Sequence, residues 1–99
     1  MAFPIVALGA SAGGLEALFE FLSALPPSGS PAYVVIQHLD REHKSLLAEL
    51  LAKKTPMPVL QIEDRMRVES NRVYVIPPNA SLTLVENRFR LRPRPEAAT

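Results

Sequence analysis

The sequence predicts an α/β domain built on a parallel sheet, with an antiparallel β-hairpin toward its C-terminal end. Two short, continuously apolar runs, Ile5–Leu8 and Ala32–Ile36, enclose a segment with helical spacing. Strand, helix and strand within roughly thirty residues form a βαβ unit, which has parallel strands and a right-handed crossover. A second helical pattern then leads to a third apolar run, Pro58–Ile62. Near the C-terminus, Leu82–Val85 and Arg88–Leu91 flank Glu86-Asn87, a two-residue hairpin turn with Asn in place of the favoured glycine.

Taken in order, Ile5–Leu8 is apolar at every position, so it is expected to be covered on both faces and to have a strand on each side. A glycine turn follows. Leu15, Leu18, Phe19, Leu22 and Leu25 then keep the spacing of one amphipathic helix face, with Glu16 and Glu20 opposite. Pro26-Pro27 stops this helix, and Pro27–Pro31 is a loop. Ala32–Ile36 is rich in β-formers. A second helix is predicted around Ser45–Lys53, where Leu46, Leu47, Leu50 and Leu51 share a face and Lys53 and Lys54 suit the negative end of the helix dipole. Thr55-Pro56 ends it. Pro58–Ile62 is a third strand and Arg72–Ile76 a fourth, closed by Pro77-Pro78. Residues 1–92 read as the folded part and 93–99 as a linker or disordered tail.

Composition narrows the function. The 99 residues are 47% hydrophobic, enough for a real core. With 11 Lys+Arg against 10 Asp+Glu, the net charge of +1 offers no electrostatic reason to bind nucleic acid or a membrane. The absence of cysteine excludes disulfides, cysteine-bound metals and thiol catalysis. With only two histidines, His38 and His43, a zinc site is not expected, and no cofactor is called for. The apolar run at Phe3–Leu8 is too short to cross a bilayer and no basic leader precedes it, so the cytoplasm is the expected location.

The chemistry concentrates where the first strand hands over to the first helix. Gly9-Ala10-Ser11-Ala12-Gly13 fits G-x-S-x-G in the strand–turn–helix setting of a nucleophile elbow. A sharp turn lifts the serine hydroxyl above the sheet edge, small flanking residues avoid clashes, and backbone N–H groups around Ala12 and Gly13 can hold an oxyanion. Two other readings compete: Ser11 as a plain helix cap, and a dinucleotide loop in which Gly9, Ser11 and Gly14 overlay G-x-G-x-x-G with the middle glycine lost. His38 follows the second strand as Ser11 follows the first. If those strands are parallel neighbours, both residues stand at the carboxyl edge, where open α/β sheets build their sites, and His38 can serve as general base. His43 reads as a surface histidine. Asp40 caps the second helix or orients His38. Glu63-Asp64 is a solvated loop or a triad acid. Arg88, Arg90 and Arg92 form the wet face of the hairpin, or else a basic stripe for an acidic partner.

Together, "GASAGGLEAL", "VIQHLD", "SLLAELLAKKTPMPV" and "VYVIPPN" resemble, in order and spacing, the catalytic domain of the chemotaxis protein-glutamate methylesterases (CheB-type), most closely versions fused ahead of a receptor methyltransferase. The resemblance runs from Ile5 to about Leu91. It implies a doubly wound (Rossmann-like) parallel sheet with an antiparallel hairpin, here apparently truncated to the N-terminal half. It also implies a serine hydrolase that removes methyl esters from glutamates of chemoreceptor cytoplasmic domains and can deamidate glutamines. The family nucleophile falls on Ser11 and the base on His38. Ala12 stands where many classical members carry threonine. The family's triad aspartate lies further on, so it is expected beyond Thr99, and the strand flanking the first one is expected from that same half. The receiver domain usual ahead of the family's domain is not expected here, because Met1 stands just before the first strand. The alternatives are a non-catalytic receptor- or partner-binding module that lacks the triad acid, and a small nucleotide-binding βαβ protein, which the lost glycine argues against.

Overall fold

Alternate residues along the apolar runs go to opposite faces of one sheet, and that alternation builds the layers. A computed structural model of the chain describes residues 3–10, 15–25, 31–37, 47–77 and 80–93. The elements are β1 (Ile5–Ala10), α1 (Leu15–Ala24), β2 (Ala32–Gln37), α2 (Leu47–Ala52), β3 (Val59–Gln61), β4 (Arg72–Val75), β5 (Ala80–Val85) and β6 (Arg88–Pro93). The first four strands form a sheet in the order β1-β2-β4-β3 with every neighbouring pair parallel. β5 and β6 form an antiparallel pair.

On one face, Tyr33 and Val35 of β2 and Val73 and Val75 of β4 pack with Leu18 and Leu22 of α1, Leu51 of α2 and Met57. On the other, Ala32, Val34, Tyr74 and Ile76 pack with Ile62 and Val68 of the β3–β4 connection and with Phe89 of β6. The helical crossovers from β1 to β2 and from β2 to β3 step one way across the sheet. The return step from β3 to β4 has its connection on the opposite face. Right-handed crossovers require that change of face when the direction reverses. The sheet is thus wound from both faces, with the 62–71 connection and the hairpin forming the second cover.

Among the described residues β1 has β2 as its one neighbour, which agrees with the expectation that its other flanking strand lies outside these residues, and Ile5 remains 39% exposed. Other expectations are corrected. The strands covered on both faces are β2 and β4, where Ala32–Val35 and Val73–Val75 are buried. Lys53 and Lys54 lie beyond the last turn of α2, in a closing turn where their N–H groups donate to Leu50 O and Leu51 O. The Lys54 ammonium stands 5.6 Å from the Phe19 ring centre and ties that turn to α1. Pro93 belongs to β6 rather than to a tail. β3 is shorter than Pro58–Ile62, although Pro58 O and the Ile62 N–H continue its bonding to Val73 and Val75. Ser45 and Leu46 of the expected second helix, and residues 94–99, lie outside the described residues.

The hairpin turn is as the sequence predicts. Val85 pairs with Arg88, and Glu86 (φ 51°) and Asn87 (φ 65°) are both left-handed, the pattern of a type I′ turn. A left-handed conformation costs a side-chain-bearing residue about 1–2 kcal/mol, less for Asn. Asn87→Gly is therefore expected to raise the melting temperature by a few degrees, at about 4–8 °C per kcal/mol for a domain of this size. Asn87→Val should lower it, as read by thermal denaturation followed by circular dichroism.

Candidate active site at the carboxyl edge of the sheet

Because the four sheet strands are parallel, their carboxyl ends share one edge. The β1–β2 register runs in step from Ile5↔Ala32 to Ala10↔Gln37, so the two strands end together. Neighbouring strands lie about 4.8 Å apart. The next residue after Ala10 is Ser11, and the next after Gln37 is His38. Ser11, Ala12, Gly13, His38, Asp40 and His43 all lie outside the described residues. What the structure supplies is the paired platform that precedes Ser11 and His38.

On the far side of the sheet the described residues are more explicit. Asp64 stands in an exposed turn, as the solvated-loop reading expects, and its Oδ1 accepts the Leu91 N–H at 2.8 Å. The chain from Arg65 to Val68 continues that ladder along β6. The Arg65 N–H donates to Phe89 O at 2.7 Å, the Phe89 N–H to Met66 O at 2.8 Å, and the Val68 N–H to Asn87 O at 2.9 Å. The Asp64 carboxylate thus substitutes for a backbone carbonyl and seats β6 against the sheet. Its contacts to Arg90 Nε (3.9 Å) and Arg65 Nε (4.0 Å) are long and exposed, so they add little. Asp64 follows β3, two strands beyond β2 and so about 10 Å across the sheet. Its hydrogen bond and its distance both argue against a triad acid.

The arginines of β6 behave as a wet face. Arg88, Arg90 and Arg92 are exposed, while Phe89 between them is buried. Arg88 also donates from its guanidinium to Arg65 O at 3.1 Å, which holds a residue with φ 71° in the turn closed by the Met66 N–H on Glu63 O. Behind this connection stands Tyr74, which sequence reasoning did not single out. Its hydroxyl accepts the Glu69 N–H at 2.8 Å and its ring meets Phe89 edge-on at 4.9 Å. Burial raises its pKa above the ordinary tyrosine value, so the hydroxyl keeps its proton through the neutral range. Among the described residues no group of His, Cys, Asp and Glu is arranged to hold a metal ion.

Residues 6–98 match the family model described as CheB methylesterase. A protein-glutamate methylesterase/protein-glutamine glutaminase of Trichodesmium erythraeum is 33% identical over 88 residues, covering 89% of this chain and 25% of the relative. The protein of the same name from Hydrogenovibrio crunogenus is 40% identical over 82 residues, covering 83% of this chain and 21% of the relative. The crystal structure of the Thermotoga maritima CheB methylesterase catalytic domain superposes with a TM-score of 0.79 at 25% identity, over 95% of this chain and 51% of that one. The chain therefore spans about half of that solved domain and a quarter or less of these full-length relatives.

The role of Asp64 is open to a direct check. Asp64→Ala leaves the Leu91 N–H without its acceptor and should cost about 1 kcal/mol in urea denaturation. Asp64→Asn retains an oxygen at that place and should cost less. Equal losses for both would mean that charge, not the hydrogen bond, matters there.

Proposed function

The chain belongs to the CheB methylesterase family, and from that premise we propose that it carries the nucleophile and the general base of a serine hydrolase acting on methylated chemoreceptors. Residues 1–92 are then the N-terminal half of the catalytic domain. The observation that carries the reading is the Ala10↔Gln37 pair. Covalent geometry keeps each following Cα within about 3.8 Å of its predecessor, so two side chains attached just past a paired rung of a parallel sheet are within reach of one another.

In this reading the Ser11 Oγ attacks the carbonyl carbon of a glutamate methyl ester while His38 accepts its proton. Negative charge gathers on the carbonyl oxygen, where N–H groups of Ala12 and Gly13, which precede α1 in the sequence, would oppose it. The tetrahedral intermediate collapses to an acyl-enzyme and expels methanol, which takes the proton from His38. Water, deprotonated by His38, then attacks the acyl carbon and frees glutamate and Ser11. With a glutamine side chain the same steps release ammonia. The chemistry needs no cofactor or metal. The substrates are receptor cytoplasmic domains, which puts the reaction in the cytoplasm, and no helix of the described residues is long and apolar enough to cross a membrane. A fused methyltransferase domain in the parent protein fits the same pathway.

A non-catalytic receptor-binding module is the second reading, favoured by one observation: Asp64 is committed to Leu91 and does not serve as the orienting acid. In the leading reading that acid comes from beyond residues 1–99. Loss of the acid in a serine protease slows turnover by about 10⁴, so residues 1–99 alone should hydrolyse receptor methyl esters only slowly. The test is covalent labelling by a fluorophosphonate probe. Labelling should be lost in Ser11→Ala and kept in Ser23→Ala. Labelling absent from the unsubstituted chain and from its longer parent would favour the binding module.

A further inference from the structure

The outer face of the hairpin is basic, and its charge is not balanced in place. Phe89 and Leu91 of β6 turn toward the sheet and pack with its core, so Arg88, Arg90 and Arg92 all turn outward and are exposed. Arg67 joins them from the neighbouring segment, where it bridges directly to Arg88. Two like charges set opposite each other destabilise a sheet. Across the hairpin the three arginines of β6 face Val85, Thr83 and Ser81, which are exposed and uncharged. An acid at any of those positions would form the usual cross-strand pair. Among the described residues Asp64 is the one carboxylate that reaches this row, 3.9 Å from Arg90, and it is already held by the Leu91 N–H. Solvent exposure accounts for charge on this face, but not for charge of one sign on facing strands.

The row has a direction. Asp64, just past the carboxyl end of β3, meets Leu91, whereas Val68, nearer the start of β4, meets Asn87. The arginines therefore run from the amino edge at Arg67 and Arg88 to the carboxyl edge at Arg92, the edge where β1 and β2 end. Alternate residues of a strand lie about 6.7 Å apart, so the row is about 13 Å long. A further protein layer on this face would have to strip water from the guanidinium groups unless it brought carboxylates to meet them.

We propose that Arg67, Arg88, Arg90 and Arg92 form the docking surface for an acidic segment of the protein substrate, which they hold beside the carboxyl edge. This rests on the reading of the chain as part of a glutamate methylesterase. A glutamate methyl ester is neutral, so the row does not recognise the reacting group. It recognises the carboxylates of neighbouring glutamates on the same segment, each of which fits the fork of a guanidinium. Nucleic acid is the less suited polyanion. The aromatic ring of β6, Phe89, is buried beneath the row and offers no stacking surface, and the net charge of the chain is only +1.

The test uses residues 1–99 and a dye-labelled, glutamate-rich peptide carrying one glutamate methyl ester, followed by fluorescence anisotropy. Binding should weaken steeply with added salt and disappear when glutamine replaces the free glutamates. Arg67→Glu/Arg92→Glu should weaken it about tenfold, since each exchange turns an attraction into a repulsion. Neither guanidinium forms a hydrogen bond or ion pair among the described residues, so the fold should survive, and an unchanged melting temperature checks that. Lys53→Glu/Lys54→Glu makes the same change of net charge on the helical side and should alter the affinity by less than about twofold. Equal weakening by the two pairs, indifference to both, or equal binding of single-stranded DNA of matching length overturns the proposal. Fluorophosphonate labelling of Ser11 separates it from the reading it rests on. Labelling without peptide binding overturns the docking surface alone, whereas peptide binding without labelling supports the surface and removes the hydrolase.

Discussion

Everything in this molecule depends on β2 being covered from both sides. Ala32, Tyr33, Val34 and Val35 are all buried, with Tyr33 and Val35 under α1 and α2 and with Ala32 and Val34 under the hairpin and the 62–71 connection. Each apolar square ångström removed from water contributes about 25 cal/mol, and β2 collects that gain on two faces at once. A slip of one residue would turn every side chain to the wrong cover. The pairings Ile5↔Ala32 and Ala32↔Arg72 are therefore held tightly, and with them the rung at which β1 and β2 end. In the proposed reading, the chain positions that follow this rung belong to Ser11 and His38, so a packing requirement several residues away fixes where those two segments begin.

The second cover is attached by polar means. Two strands make a poor lid by themselves. β6 is fastened along the 64–68 segment by backbone bonds and by the Asp64 carboxylate, while Phe89 is driven against Tyr74 beneath it. The Tyr74 hydroxyl, in turn, anchors the backbone of the same connection. One buried ring thus joins the central sheet, the connection and the hairpin. This explains why a stretch without helix or strand can occupy the layer where a helix ordinarily lies.

Much of the fold was legible because it is written in local pattern. The apolar runs of β1, β2 and β4, the leucine spacing of α1 and the Glu86-Asn87 turn are each readable within ten residues or so of sequence. What was not legible depends on distant partners. Nothing in Arg72–Val75 says that β4 inserts between β2 and β3, because that order arises from a connection with no periodicity of its own. The continuous apolarity of β1 suggests a central strand, and among the described residues β2 is the neighbour it pairs with. Asp64 looks like any turn carboxylate, since its acceptor role is defined by Leu91, 27 residues away. The candidate site divides along the same line. Ser11 and His38 stand out by residue type and by their places after two strands, and the parallel register supplies the neighbouring ends that this reading needs. The carboxylate that would orient His38 carries no such local signature within these residues.

The central claim is that Ser11 is activated by His38 across the ends of β1 and β2. The most direct measurement is the pH dependence of the rate at which a fluorophosphonate modifies Ser11. Activation by His38 predicts a rate that rises through the neutral range, where an imidazole gives up its proton. It also predicts that His38→Gln lowers that rate and removes the rise, while His43→Gln preserves both. A profile unchanged in His38→Gln would contradict the account, because Ser11 would then react without the base that the paired strands are held to supply.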